Sequence, residues 1–316
     1  MKALICGVSG QDGAYLAQYL LDQGYEVLGT SRDASSSSFG NLKSLAIHKD
    51  IQLSSMALND FRSVLQTLKQ FKPNEVYNLA GQTSVGLSFE QPVETMDSVV
   101  GGSLNLLEAI RFIGAEVKLY NAGSSECFGD VGSTPASEST PFYPKSPYAV
   151  AKASAHWLVN NYRESYQLFA CTGILFNHES PLRPERFVTQ KIVKAAARIA
   201  AGSSEVLQLG NIQIERDWGW APDYVKAMHM MLQQSRPEDY VIATGRTVTL
   251  EYFIQKAFEF FSLDWRKYVK TDSSLYRPSD IRMGRADPTK AKTQLKWLPT
   301  RDVDGVIAGM CEAARA

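Results

Sequence analysis

Seven apolar runs of strand length recur along the chain: ALIC (3–6), YEVLGTS (25–31), DIQLSS (50–55), EVYNLA (75–80), EVKLY (116–120), LFACTGILF (168–176) and DYVIATG (239–245). Several are apolar on consecutive rather than alternate positions, which marks strands covered on both faces. The first six alternate with helix-like segments. YLAQYLLDQGY (15–25) and SVVGGSLNLLEAIRFIG (98–114) carry apolar residues at helical spacing and meet a glycine stop, and SPYAVAKASAHWLVNNYRESY (146–166) is long and strongly periodic. This alternation predicts an α/β fold with a doubly wound parallel sheet of Rossmann type.

After about residue 172 the texture changes. Proline, arginine and loop residues thicken in FNHESPLRPERF (176–187), LGNIQIERDWGWAPDY (209–224) and LYRPSDIRMGRADPTKA (275–291), with helical pieces between them. The expected organisation is a dinucleotide-binding domain over 1–172, which also receives roughly 214–245. A smaller mixed subdomain, drawn mainly from 173–316, contributes a substrate cleft. The one low-complexity stretch, ASSSSFGN (34–41), reads as a polar loop.

Composition narrows the classes of function. The chain has 316 residues, 44% hydrophobic and 21% charged, with 33 basic against 33 acidic, so neither nucleic-acid nor membrane-surface binding is indicated. No stretch approaches ~18 uninterrupted apolar residues. The opening MKALICGVSG enters a strand and a glycine loop directly, without the apolar region of a signal peptide, so a cytoplasmic enzyme is expected. Cys6, Cys127, Cys171 and Cys311 are scattered, and neither they nor the four histidines show ligand spacing. Reduced, buried thiols and no metal are expected.

The first chemical signal is CGVSGQDG. Gly7, Gly10 and Gly13 follow the first strand and open the first helix. Such glycines permit a tight turn and close approach of a pyrophosphate, to which the helix N-terminus offers N–H groups and partial positive charge. An NAD site places an acidic residue at the end of the second strand for the ribose 2′-hydroxyl. Here Ser31 and Arg32 precede Asp33, and a hydroxyl with a guanidinium suits the 2′-phosphate of NADP.

The second signal combines Ser124, Tyr148 and Lys152. Tyr148 and Lys152 stand four apart at the start of a long helix and so share a face. An ammonium beside a phenol favours phenolate and makes it a base for a sugar hydroxyl. With 14 tyrosines in the chain, such a spacing arises about once by chance. Its weight comes from order: glycine loop, then a strand ending near Ser124, then Tyr148 and Lys152. Glu126, in GSSECFG, is the odd member, because moving a hydride needs no carboxylate.

This order of motifs resembles the extended short-chain dehydrogenase/reductase superfamily, over almost the whole chain. Within it, GVSGQDGAYLAQYLL (7–21), EVYNLAGQTSV (75–85), TPFYPKSPYAVAK (140–152), NYRESY (161–166), GILFNHESPLR (173–183), RDWG (216–219), PEDYVIATG (237–245) and ADPTKAKTQLKWLP (286–299) resemble the GDP-mannose 4,6-dehydratases. The resemblance implies that Gln11, Asp12, Leu79, Ala80, His178 and Arg183 lie at the NADP site together with the glycine loop, Ser31, Arg32, Tyr148 and Lys152. It places Ser84 at the hexose, and Asn177, Lys191, Arg216, Arg277 and Asp280 at the GDP portion. The residue chemistry agrees: an amide and isolated basic side chains suit a diphosphate.

The implied reaction oxidises the sugar at C4 with Tyr148 as base, removes the C5 proton through Glu126 with loss of water from C6, and returns the hydride to C6. The partners implied are a GDP-sugar and further copies of the chain, as a dimer or tetramer. Four departures from the family pattern keep alternatives open. Ser124 replaces a common threonine, and Asp33 with a serine run replaces part of a paired-arginine loop. SSMAL (54–58) lacks the usual adenine-binding aspartate, and Gln190 and Arg282 alter the substrate side. Another GDP-sugar such as GDP-manno-heptose, a 4-ketosugar reductase, and an epimerase are the alternatives; a non-catalytic NADP-binding regulator has no use for the full Ser/Glu/Tyr/Lys set.

Overall fold

Four of the five residues of β1 (Lys2–Cys6) are buried, as expected of a strand with helices on both sides of its sheet. In the computed structural model, which describes residues 1–114, 116–276 and 278–315, strands and helices alternate from this start. α1 (Gln11–Asp22), β2 (Glu26–Ser31), α2 (Gly40–Ser44), β3 (Gln52–Ser55), α3 (Phe61–Phe71) and β4 (Glu75–Asn78) follow. Next come α4 (Val85–Glu90), α5 (Pro92–Met96), α6 (Gly102–Ile113), β5 (Lys118–Ala122), α7 (Pro147–Tyr166) and β6 (Ala170–Leu175). The remainder comprises β7 (Asn177–Glu179), α8 (Val188–Ala200), β8 (Leu207–Leu209), β9 (Glu215–Trp220), α9 (Ala221–Leu232) and β10 (Tyr240–Ile242), then β11 (Thr247–Thr249), α10 (Leu250–Phe260), β12 (Val269–Thr271) and α11 (Val303–Arg315).

Seven strands form one parallel sheet in the order β10-β6-β5-β4-β1-β2-β3. The chain moves outward from β1 to β3 and then crosses back to place β4 on the other side of β1. That reversal leaves a crevice at the carboxyl ends of β1 and β4, where doubly wound sheets bind their ligands. α9 packs against α1, β5 and β6, and β10 closes the sheet beside β6.

The smaller layer has two minor sheets, β11-β9-β7 and β12-β8. Its core joins α8, α10 and α11 around Trp218, which is 1% exposed and lies 5.4 Å from the Phe253 ring. Removing so large a buried side chain would cost about 3–5 kcal/mol.

The apolar run over 168–176 divides in two. Its buried part pairs within the main sheet as β6, but after Phe176 the polar residues of β7 pair with β9 instead. α1 begins four residues before its apolar periodicity does, because its first turn is the glycine loop itself. The segment over 98–114 opens with a π turn, Asp97–Gly101, before α6 continues to Gly114 at φ 64°. Adjacent glycines 101 and 102 give little helical preference there, and α5 and α7 pack against the widened turn.

Candidate active site

The crevice at the sheet's reversal point is shaped by Gly7 and Gly13. Gly7 has φ +84°, and a Cβ on it would meet the Ala80 backbone at 3.0 Å. A Cβ on Gly13 would fall 2.4 Å from the Gly7 carbonyl, so only glycine lets α1 start this close to β1. Gly10 caps α1 without a side-chain bond. The first-turn N–H groups of Gln11, Asp12 and Gly13 thus meet no capping side chain, which suits an anion. Leu79 and Ala80 follow β4 directly across the crevice.

At the end of β2, the Ser31 hydroxyl is buried and has no protein partner among the described residues. The Arg32 side chain is 84% exposed and lies 3.9 Å from Glu94. Asp33 folds onto its own loop: Oδ1 accepts from Ser35 N (2.9 Å), Ser35 Oγ (2.6 Å) and Ser36 N (3.3 Å). Those bonds pull its carboxyl down to about 2.

β5 delivers the next group. Ser124 caps the short turn Ser125–Phe128, its Oγ accepting from Glu126 N at 3.3 Å, so one hydroxyl orients the turn that carries Glu126. α7 delivers Tyr148 and Lys152: Ser146 accepts from Ala149 N at 3.1 Å and Pro147 occupies the first turn, which sets the helix start one residue before Tyr148. Ser124, Glu126, Tyr148 and Lys152 all line one cavity of about 400 Å³.

The charge relation between Tyr148 and Lys152 differs from the expectation. Burial raises the Tyr148 phenol well above its ordinary value, and the Ser124 hydroxyl only partly opposes this. Lys152 does not offset it, because Nζ donates to the Ala122 carbonyl at 2.8 Å and lies 5.9 Å from the Tyr148 ring centre. Burial lowers Lys152 itself to about 8. Burial therefore favours the phenol form of Tyr148.

The cavity's other wall belongs to the smaller layer. Asn177 opens β7, and Lys191 reaches from α8, its Nζ donating to Gln208 O at 2.9 Å. α8 begins at this cavity with Phe187, Val188 and Thr189, again without a side-chain cap. Strand alternation puts Arg216 and Trp218 on the cavity side of β9 and Asp217 on the other. Arg216 is 6% exposed, with Nη1 donating to Glu215 O at 2.9 Å. Asp217 instead accepts from Thr244 N (3.0 Å), Thr244 Oγ1 (2.8 Å) and Gly245 N (2.7 Å), and burial raises it to about 6. Ser84 caps α4 and lines the cavity, as does Asp280. Arg277 lies outside the described residues.

Arg183 also reaches the cavity, stacked 3.8 Å over the Phe187 ring with Nε 3.3 Å from Glu179. His178 and Asp12 bond to each other, with Nε2 2.8 Å from Oδ2. Sequence reasoning singled out neither Glu179 nor Thr189. Glu179 is 1% exposed, lines the cavity and accepts from Thr189 Oγ1 at 2.7 Å. The available signal was a carboxylate inside FNHESP, at the end of an otherwise apolar run. Among the described residues there is no metal-ligand cluster and no helix long and apolar enough to cross a membrane.

A family model for GDP-mannose 4,6 dehydratase matches residues 4–310. The chain belongs to the GDP-mannose 4,6-dehydratase family. It is 48% identical to GDP-mannose 4,6 dehydratase 2 of Arabidopsis thaliana, the match covering 98% of this chain and 86% of that one. It is 44% identical to GDP-mannose 4,6-dehydratase of Vibrio cholerae, covering 98% and 92%. Among solved structures it resembles the Thermus thermophilus UDP-glucose 4-epimerase complex with NAD, at 26% identity and a TM-score of 0.87 over 100% of this chain and 99% of that one. The resemblance expected from the motifs and the doubly wound fold therefore both hold.

Proposed function

We propose that Ser124, Glu126, Tyr148 and Lys152 carry the family's reaction, the conversion of GDP-mannose to GDP-4-keto-6-deoxymannose, with NADP as the resident cofactor. The observation that carries this reading is the meeting of a redox pair and an extra carboxylate in one cavity. The first turn of α1, Ser31 and Arg32 would hold the dinucleotide, whose nicotinamide would supply hydride exchange with sugar C4 and C6. Tyr148 accepts the C4 hydroxyl proton, with Ser124 placed to orient that hydroxyl. A ketone at C4 acidifies the C5 hydrogen, and Glu126 removes it. The proton taken from C5 passes from Glu126 to the departing C6 hydroxyl, with Ser124 assisting, so that water leaves. Glu126 then takes a new proton from solvent and delivers it to C5, while Tyr148 releases the C4 proton to solvent.

Support for NADP over NAD comes from the end of β2. Ser31 offers an unpartnered hydroxyl and Arg32 an exposed guanidinium, while the Asp33 carboxylate is occupied by its own loop. A positive charge brought by the oxidised nicotinamide would favour the Tyr148 phenolate, which Lys152 alone does not. Asn177, Lys191, Arg216 and the start of α8 are suited to the diphosphate of the GDP-sugar. Arg277 and Asp280 complete that assignment, and Ser84 takes the hexose. The enzyme is expected to work as a homo-oligomer, for which Trp157 (59% exposed) and Val150 (41%) on α7 and Leu104 (37%) on α6 offer apolar surface. Four free cysteines fit a reducing cytoplasm.

Incubation with GDP-mannose and catalytic NADP⁺ in D₂O tests the reaction. Deuterium at C5 of a 4-keto-6-deoxy product, without NADPH build-up, is expected. Stoichiometric NADPH, or turnover only when NADPH is supplied, would make this a reductase or simple dehydrogenase instead. Glu126→Gln should keep cofactor affinity and lose turnover by about a thousandfold.

A further inference from the structure

Gln11 and Asp12 open the helix whose first turn forms the anion cradle, yet their side chains reach away from it, toward residues 177–180. Gln11 Nε2 donates to His178 O at 3.2 Å, and Gln11 Oε1 accepts from Ser180 Oγ at 2.7 Å. Asp12 Oδ1 accepts from Gln11 Nε2 at 3.0 Å. Asp12 Oδ2 faces His178 Nε2 at 2.8 Å, and the other ring nitrogen, Nδ1, faces Phe176 O at 2.7 Å. A carbonyl and a carboxylate can only accept. Both ring nitrogens must then carry protons, which makes the ring an imidazolium.

The surroundings agree. The ring lies flat on Tyr224 of α9, with centres 4.4 Å apart and planes 24° apart. The charged groups facing it are Asp12 from α1 and Arg183 from the loop after β7. Burial and Arg183 both work against a charged ring, and Asp12 outweighs them, holding His178 above its ordinary value. Asp12 is held low in turn: burial would raise it, and the His178 charge overcomes that.

We propose that His178 is a positioning residue: through Asp12 it holds the first turn of α1 against β7, the strand that presents Asn177 and Glu179 to the cavity. Cofactor cradle and sugar wall are then set by one joint. This rests on the first turn of α1 holding the cofactor's pyrophosphate. Neither side chain need touch the cofactor, and losing either partner breaks the same joint.

The test needs no catalysis. In cofactor-free protein labelled with ¹⁵N-histidine, both His178 ring nitrogens should carry protons at pH 7. In Asp12→Asn, which keeps the shape and removes the charge, the ring should lose its second proton at a lower pH than in the wild type. A neutral, singly protonated His178 in the wild type at pH 7, or an unchanged titration in Asp12→Asn, would overturn the proposal. NADP⁺ affinity, measured by titration calorimetry, should fall about tenfold in Asp12→Asn and in His178→Asn, and no further in the double variant. Effects that multiply, or affinities that stay at the wild-type value, would overturn it. Because none of these readouts uses GDP-mannose turnover, a wrong substrate assignment leaves them intact.

Discussion

Lys152 Nζ bonds the carbonyl of Ala122, the last residue of β5, at 2.8 Å, and so ties the helix carrying Tyr148 to the strand that leads into Ser124. That ammonium is buried, and burial has brought Lys152 from 10.5 to about 8. The unfolded chain keeps the proton up to the ordinary lysine value. Between pH 8 and 10.5 the unfolded state therefore binds more protons, and stability rises with pH across that window. Below pH 8 both states are charged and the folded protein bears the whole desolvation cost, about 3 kcal/mol. Lys152→Met should gain stability over the wild type at pH 7, by up to about 3 kcal/mol, with the gap narrowing toward pH 10. Turnover should fall by about a thousandfold. Urea denaturation at several pH values checks the first part, and a variant less stable than the wild type at pH 7 would contradict it.

Gly10 and Gly13 should separate folding from cofactor approach. A Cβ at position 13 collides with the Gly7 carbonyl at 2.4 Å and the Val8 Cα at 2.7 Å, neither of which is free to move. Gly13→Ala should cost about 3 kcal/mol and abolish NADP⁺ binding. At position 10 φ is −73° and the nearest contact is 3.4 Å. Gly10→Ala should stay within about 0.5 kcal/mol of the wild type. Thermal unfolding of the cofactor-free proteins distinguishes the two.

Arg32 provides the test of cofactor choice. Its side chain is 84% exposed, so its removal should leave stability unchanged. Arg32→Ala should weaken NADP⁺ binding about tenfold and leave NAD⁺ binding alone. Equal losses for both dinucleotides would remove the guanidinium from 2′-phosphate recognition.

Lys191 should act on binding rather than chemistry. Its Nζ donates to the Gln208 carbonyl at 2.9 Å, and both residues line the cavity. Lys191→Met should raise KM for GDP-mannose about tenfold with kcat nearly unchanged. A comparable fall in kcat would move Lys191 into the chemical step.

The main sheet was legible because burial on both faces demands runs such as ALIC, which no other element of that length requires. The glycine loop was legible because its steric demand is local: Gly13 must be glycine wherever a helix starts that close to its strand. Directions of side chains were not. Nothing in the spacing of Tyr148 and Lys152 says that Nζ turns to Ala122 rather than to the phenol. Nor does FNHESP reveal that the chain leaves the main sheet after Phe176, since that depends on β9, some forty residues later, offering an edge. The Glu179, Thr189 and Arg183 contacts formed by that departure were hidden for the same reason.

All four cysteines are buried, and burial pushes the thiols of Cys6, Cys127 and Cys311 up to about 12 and raises Cys171 as well. Attack on an alkylating or disulfide reagent requires a thiolate, and these sulfurs supply almost none at neutral pH. The native protein is thus a silent background for labelling. A cysteine introduced at Arg32 would stand as the one reactive sulfur, so a fluorophore could be attached beside the proposed cofactor site with every native cysteine left in place.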